Sequence, residues 1–313
     1  MSSRRDFLRI VGGAGAGAAV CSPHLAQARA DGGPRADASR LAELAARGAD
    51  QKAMLFDGTI CIGCRECERA CNEDNQLGRT EDQISEGLQA QDARALSPNI
   101  WTYVTYHEVE GDLSTGTFGK VQCMHCLEPA CVVSCPVVAL EKTAEGPVVY
   151  NPQKCLGCRY CELACPFLVP RFEWDTWNPY IRKCDMCWDL QRDGKPPACV
   201  AVCPTGALLS GTRKELLGIA HQRIADQPRD YEHHIYGELE AGGTDFLHLA
   251  RRPFDELGYR RDLPYRSYRD YTRGSTLSVP YVLSGLSLSL GAVAWAVNRR
   301  RAMSHERQPG EVG

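Results

Sequence analysis

Residues 155–166 read CLGCRYCELACP. Cysteines at the spacing C-x2-C-x2-C-x3-C, followed by proline, bind [4Fe–4S] clusters in bacterial ferredoxins. The same spacing recurs at residues 61–71, where Asn72 stands in place of the proline. Three cysteines of such a segment bind one cluster and the fourth serves a neighbouring cluster, so these segments work in pairs.

Two more groups of four cysteines vary this spacing, with middle gaps of four and eleven residues. We expect the fourth cysteine of each group to begin a helix, because the proline that usually follows it suits a first helical turn. Two pairs of groups predict four [4Fe–4S] clusters, whose iron is bound by sixteen of the seventeen cysteines. These ligands are Cys61, Cys64, Cys67 and Cys71; Cys123, Cys126, Cys131 and Cys135; Cys155, Cys158, Cys161 and Cys165; and Cys184, Cys187, Cys199 and Cys203.

Other uses of these cysteines fit the spacing less well. Zinc needs four ligands, usually from two C-x2-C pairs, and has no use for the C-x3-C-P ending. Disulfide frameworks are typical of shorter secreted chains, and no C-x-x-C-H motif for haem attachment occurs. His125 lies between two cysteines, but sixteen thiolates leave it no ligand position, so we interpret it as a supporting residue.

Composition limits the remaining function classes. The chain has 313 residues, a net charge of −3 and 24% charged residues, so it has room for one or two domains. This charge balance gives no indication of a nucleic-acid partner. We recognise no acid–base pair, nucleophile or substrate pocket, and therefore predict no catalytic residues. Any enzymatic role is expected to be that of an electron-transfer component of an oxidoreductase complex.

The N-terminal segment has the features of an export signal. Arg4 and Arg5 precede an apolar run rich in Gly and Ala, and residues 28–30 form an A-x-A cleavage signal. We predict a twin-arginine signal peptide over residues 1–30, whose removal also removes Cys21. Twin-arginine transport carries folded proteins, so the clusters are expected to be inserted before export to an oxidising compartment.

Residues 31–53 are small and polar, and we interpret them as a linker. Residues 54–211 contain short strand patterns between the cysteines, at 99–110, 148–150 and 207–209. Short strands and helices around clusters predict an α+β fold of tandem bacterial-ferredoxin-like domains.

Residues 212–276 are predicted to extend this core and lead to the membrane. Thr212 and Glu215 form a capping box for a helix that ends before Pro228. The Arg- and Tyr-rich stretch 251–273 suits the boundary between lipid headgroups and water.

Residues 277–297 contain no charged side chain over 21 positions. As a helix they would extend about 31 Å, enough for a hydrocarbon core of roughly 30 Å. Small residues four apart, such as Gly285 and Ser289, allow close packing against another helix. We predict a single transmembrane helix, with residues 298–313 as a cytoplasmic tail and the cluster region on the periplasmic side of the cytoplasmic membrane.

Taken together, the four cysteine groups, the leader and the C-terminal helix resemble the hydrogenase-2 operon iron–sulfur subunits of the HybA type. Segments that carry the resemblance include QCMHC at 122–126, CPTGAL at 203–208 and IYGE at 235–238. Beta subunits of formate dehydrogenases share the cysteine plan and the tail helix, but they normally lack a leader of their own. The leader therefore favours the hydrogenase type.

The resemblance implies how the cysteines combine, which spacing alone does not prove. Cys61, Cys64 and Cys67 would share a cluster with Cys203, and Cys184, Cys187 and Cys199 one with Cys71. Cys123, Cys126 and Cys131 would combine with Cys165, and Cys155, Cys158 and Cys161 with Cys135.

The resemblance also implies a function. Electrons would pass from a periplasmic catalytic partner, most simply a NiFe hydrogenase, through four [4Fe–4S] clusters to a membrane quinone-reactive subunit. One alternative is a beta subunit of a formate dehydrogenase or another molybdopterin oxidoreductase. A further alternative is a structural protein that docks or assembles a hydrogenase at the membrane, and the last is a zinc-binding membrane module.

Overall fold

The computed structural model describes residues 43, 46–85, 96–109, 112–177 and 179–306. The predicted leader and most of the predicted linker lie outside these residues. The described strands are β1 (Lys52–Asp57), β2 (Tyr103–Val109), β3 (Asp112–Val121), β4 (Leu140–Lys142), β5 (Val148–Tyr150), β6 (Arg171–Phe172), β7 (Ile181–Arg182), β8 (Leu208–Thr212) and β9 (Phe246–Leu249). The described α-helices are α1 (Glu66–Asp74), α2 (Glu81–Ser85), α3 (Ala130–Val133), α4 (Tyr160–Ala164), α5 (Trp188–Arg192), α6 (Ala198–Ala201), α7 (Arg213–Asp226) and α8 (Tyr268–Glu306).

A three-stranded sheet organises the part of the fold around the first cysteine group. Its order is β8-β1-β9, with β1 antiparallel to β8 and parallel to β9. Met54 and Phe56 of β1 face a hydrophobic cluster that contains Cys67, whereas Ala53 and Leu55 face a second cluster under α7. The central strand is therefore buried on both faces.

Two strands of this sheet differ from the expected domain bounds. β1 begins at Lys52, inside the predicted linker, and β9 lies inside the segment predicted as a helical extension. Because β9 pairs with β1, the extension completes the same sheet that leads into the first cysteine group.

The predicted capping box at the start of α7 is confirmed. The Thr212 hydroxyl accepts a hydrogen bond from the Glu215 N–H, and the Thr212 N–H donates to the Glu215 carboxylate. α7 ends at Asp226, before Pro228, and buries Leu216 and Leu217 against the sheet.

Smaller hairpins connect the cysteine groups. The predicted strand at 99–110 is confirmed as β2, which pairs with β3. The pairs β4–β5 and β6–β7 are shorter, and β5 coincides with the strand predicted at 148–150. The strand predicted at 207–209 is found as β8, one residue later and longer.

The C-terminal helix α8 is longer than the predicted 277–297 span, because it begins at Tyr268 and continues through Arg299–Arg301. Within the described residues, Ser278–Met303 is the one stretch long and apolar enough to cross a membrane, with a mean hydropathy of 1.5. Near its start, α8 packs against α3 of the second cysteine group.

Arginines before and within the first turn of α8 are balanced by nearby carboxylates. The ion pairs are Arg251–Asp230, Arg252–Glu256, Arg260–Asp262, Arg261–Asp255 and Arg266–Asp270. Exposed pairs of this kind contribute only about 0–1 kcal/mol each. Four of these five carboxylates lie within residues 251–273, so the Arg- and Tyr-rich stretch neutralises much of its positive charge internally.

Candidate metal centre

The expectation that each fourth cysteine begins a helix is wrong. In the second, third and fourth groups, helices α3, α4 and α6 contain the third cysteine and end before the fourth. Cys165 is extended, with φ −75° and ψ 116°, because a residue before proline is disfavoured in helical conformation. In the first group Asn72 replaces the proline, and α1 continues through Cys71 to Asp74.

The loops that present the first cysteines of the first and third groups follow similar backbone paths. Gly63 and Arg65 in the first group have φ values of 68° and 59°, and Gly157 and Arg159 in the third have 68° and 62°. A Cβ on Gly63 would also lie 2.2 Å from the Phe118 ring. The two loops with identical cysteine spacing therefore share one left-handed turn geometry.

For clarity we name the four expected ligand combinations as sets. Set 1 is Cys61, Cys64, Cys67 and Cys203; set 2 is Cys71, Cys184, Cys187 and Cys199; set 3 is Cys123, Cys126, Cys131 and Cys165; and set 4 is Cys135, Cys155, Cys158 and Cys161. Each set takes three cysteines from one group and one from another.

Two cavities bring together complete sets. All four cysteines of set 2 line one cavity, between Met54 and Met186. All four cysteines of set 4 line another, beside Tyr150 and Ile181. Helix α1 packs on α6 at the first cavity and α3 packs on α4 at the second. Packing of helices from different groups thus places Cys71 and Cys135 each beside three cysteines of a partner group.

The thiols of set 3 interact electrostatically with one another. Burial raises the pKa of Cys126 well above its usual value, and the charges of Cys165, Cys131 and Cys123 raise it further. Burial, Cys165 and Cys123 raise the pKa of Cys131 in the same way. The four thiols of set 3 therefore lie close together.

Three thiols of set 1 also interact. Burial raises the pKa of Cys61 to about 11, with smaller contributions from Cys67 and Cys64. Cys203 packs against the same hydrophobic cluster as Cys61 and Cys67. Cys203 therefore lies in the same region of the fold as the other cysteines of set 1.

The donor chemistry of these sites fits iron–sulfur clusters. All sixteen described cysteines are free thiols. Burial raises the pKa of most of them, so iron binding must release their protons. In the described part of the chain, no three His, Cys, Asp or Glu side chains converge as ligands of a single metal ion. A cubane spreads its thiolates over four metals and therefore requires wider spacing than a zinc site.

Backbone N–H groups point at several cysteine sulfurs. Ala139 N–H donates to Cys135 Sγ at 3.2 Å, Gly157 N–H to Cys155 Sγ at 3.4 Å, and Met186 N–H to Cys184 Sγ at 3.3 Å. Although burial opposes it, such N–H groups lower the pKa of Cys135. Hydrogen bonds of this kind favour thiolate ligands.

Two buried lysines and one half-buried lysine beside these thiols were missed from the sequence. Lys120 donates to Cys67 Sγ, Lys142 pairs with Asp245, and Lys183 bonds the carbonyls of Val148 and Cys184. Of the three lysines, only Lys183 could have been found from the sequence, because it directly precedes a cysteine. Lysine in a short strand otherwise predicts a solvated side chain.

His125 is wholly buried, and its Nδ1 accepts a hydrogen bond from the Val148 N–H at 2.9 Å. Burial, together with Lys183 and Lys142, keeps its pKa well below the usual range. The neutral ring therefore holds the loop of the second group against β5, consistent with a supporting residue.

Comparison with known proteins agrees with this geometry. The 4Fe-4S dicluster domain family matches residues 115–213. A protein of Nitratidesulfovibrio vulgaris is 39% identical over 95% of this chain and 77% of its own length. Hydrogenase-2 operon protein HybA of Escherichia coli O157:H7 is 36% identical over 67% of this chain and 72% of its own length. The iron-sulfur subunit of the nitrate-inducible formate dehydrogenase of Escherichia coli K12 is 39% identical over 64% of this chain and 69% of its own length.

The cysteine plan, the dicluster domain and the extent of these similarities agree on one assignment. This chain belongs to the family of iron–sulfur electron-transfer subunits that includes HybA and the formate dehydrogenase iron–sulfur subunits.

Proposed function

We propose that the chain carries four [4Fe–4S] clusters, bound by sets 1 to 4, and conducts electrons between a periplasmic oxidoreductase and a membrane quinone-reactive subunit. The clusters supply one-electron redox chemistry, and the protein sets their positions and potentials. The packing of α1 on α6 and of α3 on α4 supports two ferredoxin-like pairs, formed by the first and fourth groups and by the second and third groups.

Contacts between thiols of different sets support a linear order. Cys67 of set 1 and Cys199 of set 2 belong to one hydrophobic cluster. Cys184 of set 2 packs against the cluster that contains Cys123 and Cys165 of set 3, and Cys131 of set 3 shares a cluster with Cys161 of set 4. The sets therefore follow one another as 1, 2, 3 and 4.

The observation that carries the proposal is the exposure of the two ends of this order. Cys64 of set 1 and Cys158 of set 4 are exposed, whereas the cysteines of sets 2 and 3 are buried or half-buried. A protein that transfers electrons between two partners needs its terminal clusters near those partners and its inner clusters shielded from water. Clusters with a purely structural role require no such arrangement.

Two features support the pair formed by sets 3 and 4, which ends at set 4, as the one nearer the membrane. Helix α8 packs on α3, which carries Cys131 and leads to Cys135 of set 4. Arg260, in the segment before α8, donates to the Pro166 carbonyl at 2.9 Å. The quinone-reactive partner would then dock around Cys158, where large apolar side chains are exposed. These are Leu156, Tyr160, Leu163, Trp174 and Trp177.

The catalytic partner would dock at the Cys64 end. We propose a hydrogenase, because HybA, named for a hydrogenase operon, is similar over two thirds of the chain and because the predicted leader over 1–30 is expected in that type. A formate dehydrogenase is the second candidate, favoured by 39% identity to such a subunit. Under either partner the cluster region lies on the periplasmic side, with α8 as the anchor.

Purification of the native complex from membranes tests this function. The anaerobic complex should contain a hydrogenase or a formate dehydrogenase, identified by mass spectrometry. Its clusters should be reduced by hydrogen or by formate and reoxidised by a soluble quinone. If the complex contains the catalytic subunit but neither hydrogen nor formate reduces the clusters, the result would favour an assembly role instead.

A further inference from the structure

Lys120 is a lysine buried between two cysteine sets. It lies near the end of β3, and its side chain is 1% exposed. Its backbone is held on both sides by the Tyr259 hydroxyl, which accepts from the Lys120 N–H at 2.9 Å and donates to the Lys120 carbonyl at 3.0 Å. The position of this lysine is therefore fixed by the fold.

The ammonium group of Lys120 donates to Cys67 Sγ at 3.3 Å and to the Thr102 hydroxyl at 2.6 Å. Among the ion pairs formed within the described ranges, none includes Lys120. The nearby buried carboxylate of Glu68 instead lies against Arg65 and Arg79, and accepts from the Val104 N–H. Glu68 contributes negative charge near the Lys120 ammonium but forms no ion pair with it, so the buried ammonium needs a further source of negative charge.

Cysteine thiolates provide that charge. The Cys67 sulfur, which accepts from the Lys120 ammonium, lies in the same buried cluster as Cys199. Cys67 belongs to set 1 and Cys199 to set 2, so the same ammonium faces two neighbouring ligand sets.

The other two lysines near the thiols, the half-buried Lys142 and the buried Lys183, differ in their contacts. Lys142 pairs with the Asp245 carboxylate, and Lys183 bonds backbone carbonyls. Of these three, Lys120 is the one whose ammonium contacts a cysteine sulfur.

We propose that Lys120 is a shared counter-charge that raises the reduction potentials of the clusters at sets 1 and 2, most strongly at set 1. This inference rests on the proposed function. Reduction adds negative charge to a cluster, and a fixed positive charge with an N–H···S hydrogen bond stabilises the reduced form. Lys120 thus makes the exposed end of the cluster series a better electron acceptor.

A redox titration of the anaerobic, full-length holoprotein, followed by electron paramagnetic resonance, tests this role. Lys120→Met should weaken reduction of the set 1 cluster at least tenfold, which is about 59 mV for a one-electron couple. The set 2 potential should fall by less, and those of sets 3 and 4 should not change. A Cys67→Ser variant, which should lose the set 1 signal, assigns that signal.

Three further variants keep the test decisive. Lys120→Gln retains a donor without the charge, and it should still lower the set 1 potential if Lys120→Met fails to assemble clusters. Lys120→Arg retains the charge and should restore most of the potential. Lys195, an exposed lysine in the loop between Cys187 and Cys199, is the matched control, because solvent screens its charge. Lys195→Met should leave all four potentials unchanged.

The outcomes separate the two proposals. An unchanged set 1 potential in both neutral Lys120 variants, with four clusters present, would overturn the role of Lys120 and leave the electron-transfer function standing. An equal fall of the set 1 potential in Lys195→Met would also overturn the role of Lys120, because the overall charge of the protein would then explain the shift. A wild-type protein without redox-active clusters would overturn the proposed function itself.

Discussion

Cys71 of the first cysteine group and Cys199 of the fourth line one buried cavity. Burial raises the pKa of Cys71, and the charge of Cys199 is the next largest cause. The packing of α1 on α6 produces this contact between two distant parts of the chain. The pair makes the proposed exchange of fourth cysteines directly testable.

Cys71→Ser should damage the cluster of set 2 and spare that of set 1, although Cys71 follows the cysteines of set 1 in sequence. Cys67→Ser is the matched control and should do the reverse. Each variant should lose up to about four iron atoms per chain. Iron analysis and paramagnetic resonance measure the loss. The same missing signal in both variants would contradict the exchange of fourth cysteines.

The anaerobically purified wild-type protein should contain about sixteen iron atoms and no stoichiometric zinc, because four sets of four thiolates each hold a cubane. Elemental analysis with acid-labile sulfide measures this directly. Iron near eight atoms, or zinc in place of iron, would rule out four clusters.

Asp57→Ala should destabilise the start of the first cysteine loop. The buried carboxylate accepts from Thr59, Arg223 and Tyr231, with Arg223 Nη1 at 2.6 Å and the Tyr231 hydroxyl at 2.9 Å. Its removal leaves these partners unpaired and should cost about 3 kcal/mol. We expect the apparent Tm, at a fixed scan rate, to fall by roughly 5–10 °C.

Asp189→Ala is the control for Asp57, because Asp189 forms an ion pair with Arg192 while 91% exposed. Its loss should change stability by less than about 0.5 kcal/mol. Equal Tm shifts in the two variants would show that the Asp57 network does not stabilise the fold.

Replacement of Arg4 and Arg5 by Lys should leave the protein in the cytoplasm, because the export receptor recognises the twin arginine. These residues lie outside the described part of the chain, so the prediction rests on sequence alone. Fractionation in a strain without a leader-bearing partner measures it. Normal delivery to the membrane there would refute the predicted leader.

Deletion of residues 277–313 should release a cluster-loaded periplasmic domain that accepts electrons from its donor but reduces quinone poorly. Ser278–Met303 is fully solvent-exposed in the isolated chain, so the cysteine sets do not pack on it. Without the helix, the cluster domain and the quinone-reactive subunit are no longer tethered and meet only by diffusion. A truncated protein that survives a high-salt wash on membranes and couples at full rate would refute the anchor.

A double variant separates anchoring from helix packing. Gly285→Leu with Gly291→Leu keeps the apolar length but fills both small-residue faces of α8, the one with Gly285 and Ser289 and the one with Ser287 and Gly291. This variant should remain in the membrane and lose part of its coupling to quinone. Unchanged coupling would show that these glycines do not contact the partner helix.

Local patterns were predicted well where their cause is local. The Thr212–Glu215 capping box and the alternation in β2 depend on residues a few positions apart, and both are confirmed. β1 and β9 were missed because buried strands show no alternation, and β9 reads FLHL with every residue buried. The helix expected after each fourth cysteine was wrong because proline ends a helix that already began at the third.

The sequence by itself determined the chemistry of this protein, because the ligand spacing of an iron–sulfur segment lies within about ten residues. Tertiary structure decided which groups meet, because the contact of Cys71 with Cys199 requires α1 to pack on α6. It also decided which cysteines are exposed and the burial of Lys120 against Cys67. These features depend on residues brought together from distant parts of the chain, and no local pattern encodes them.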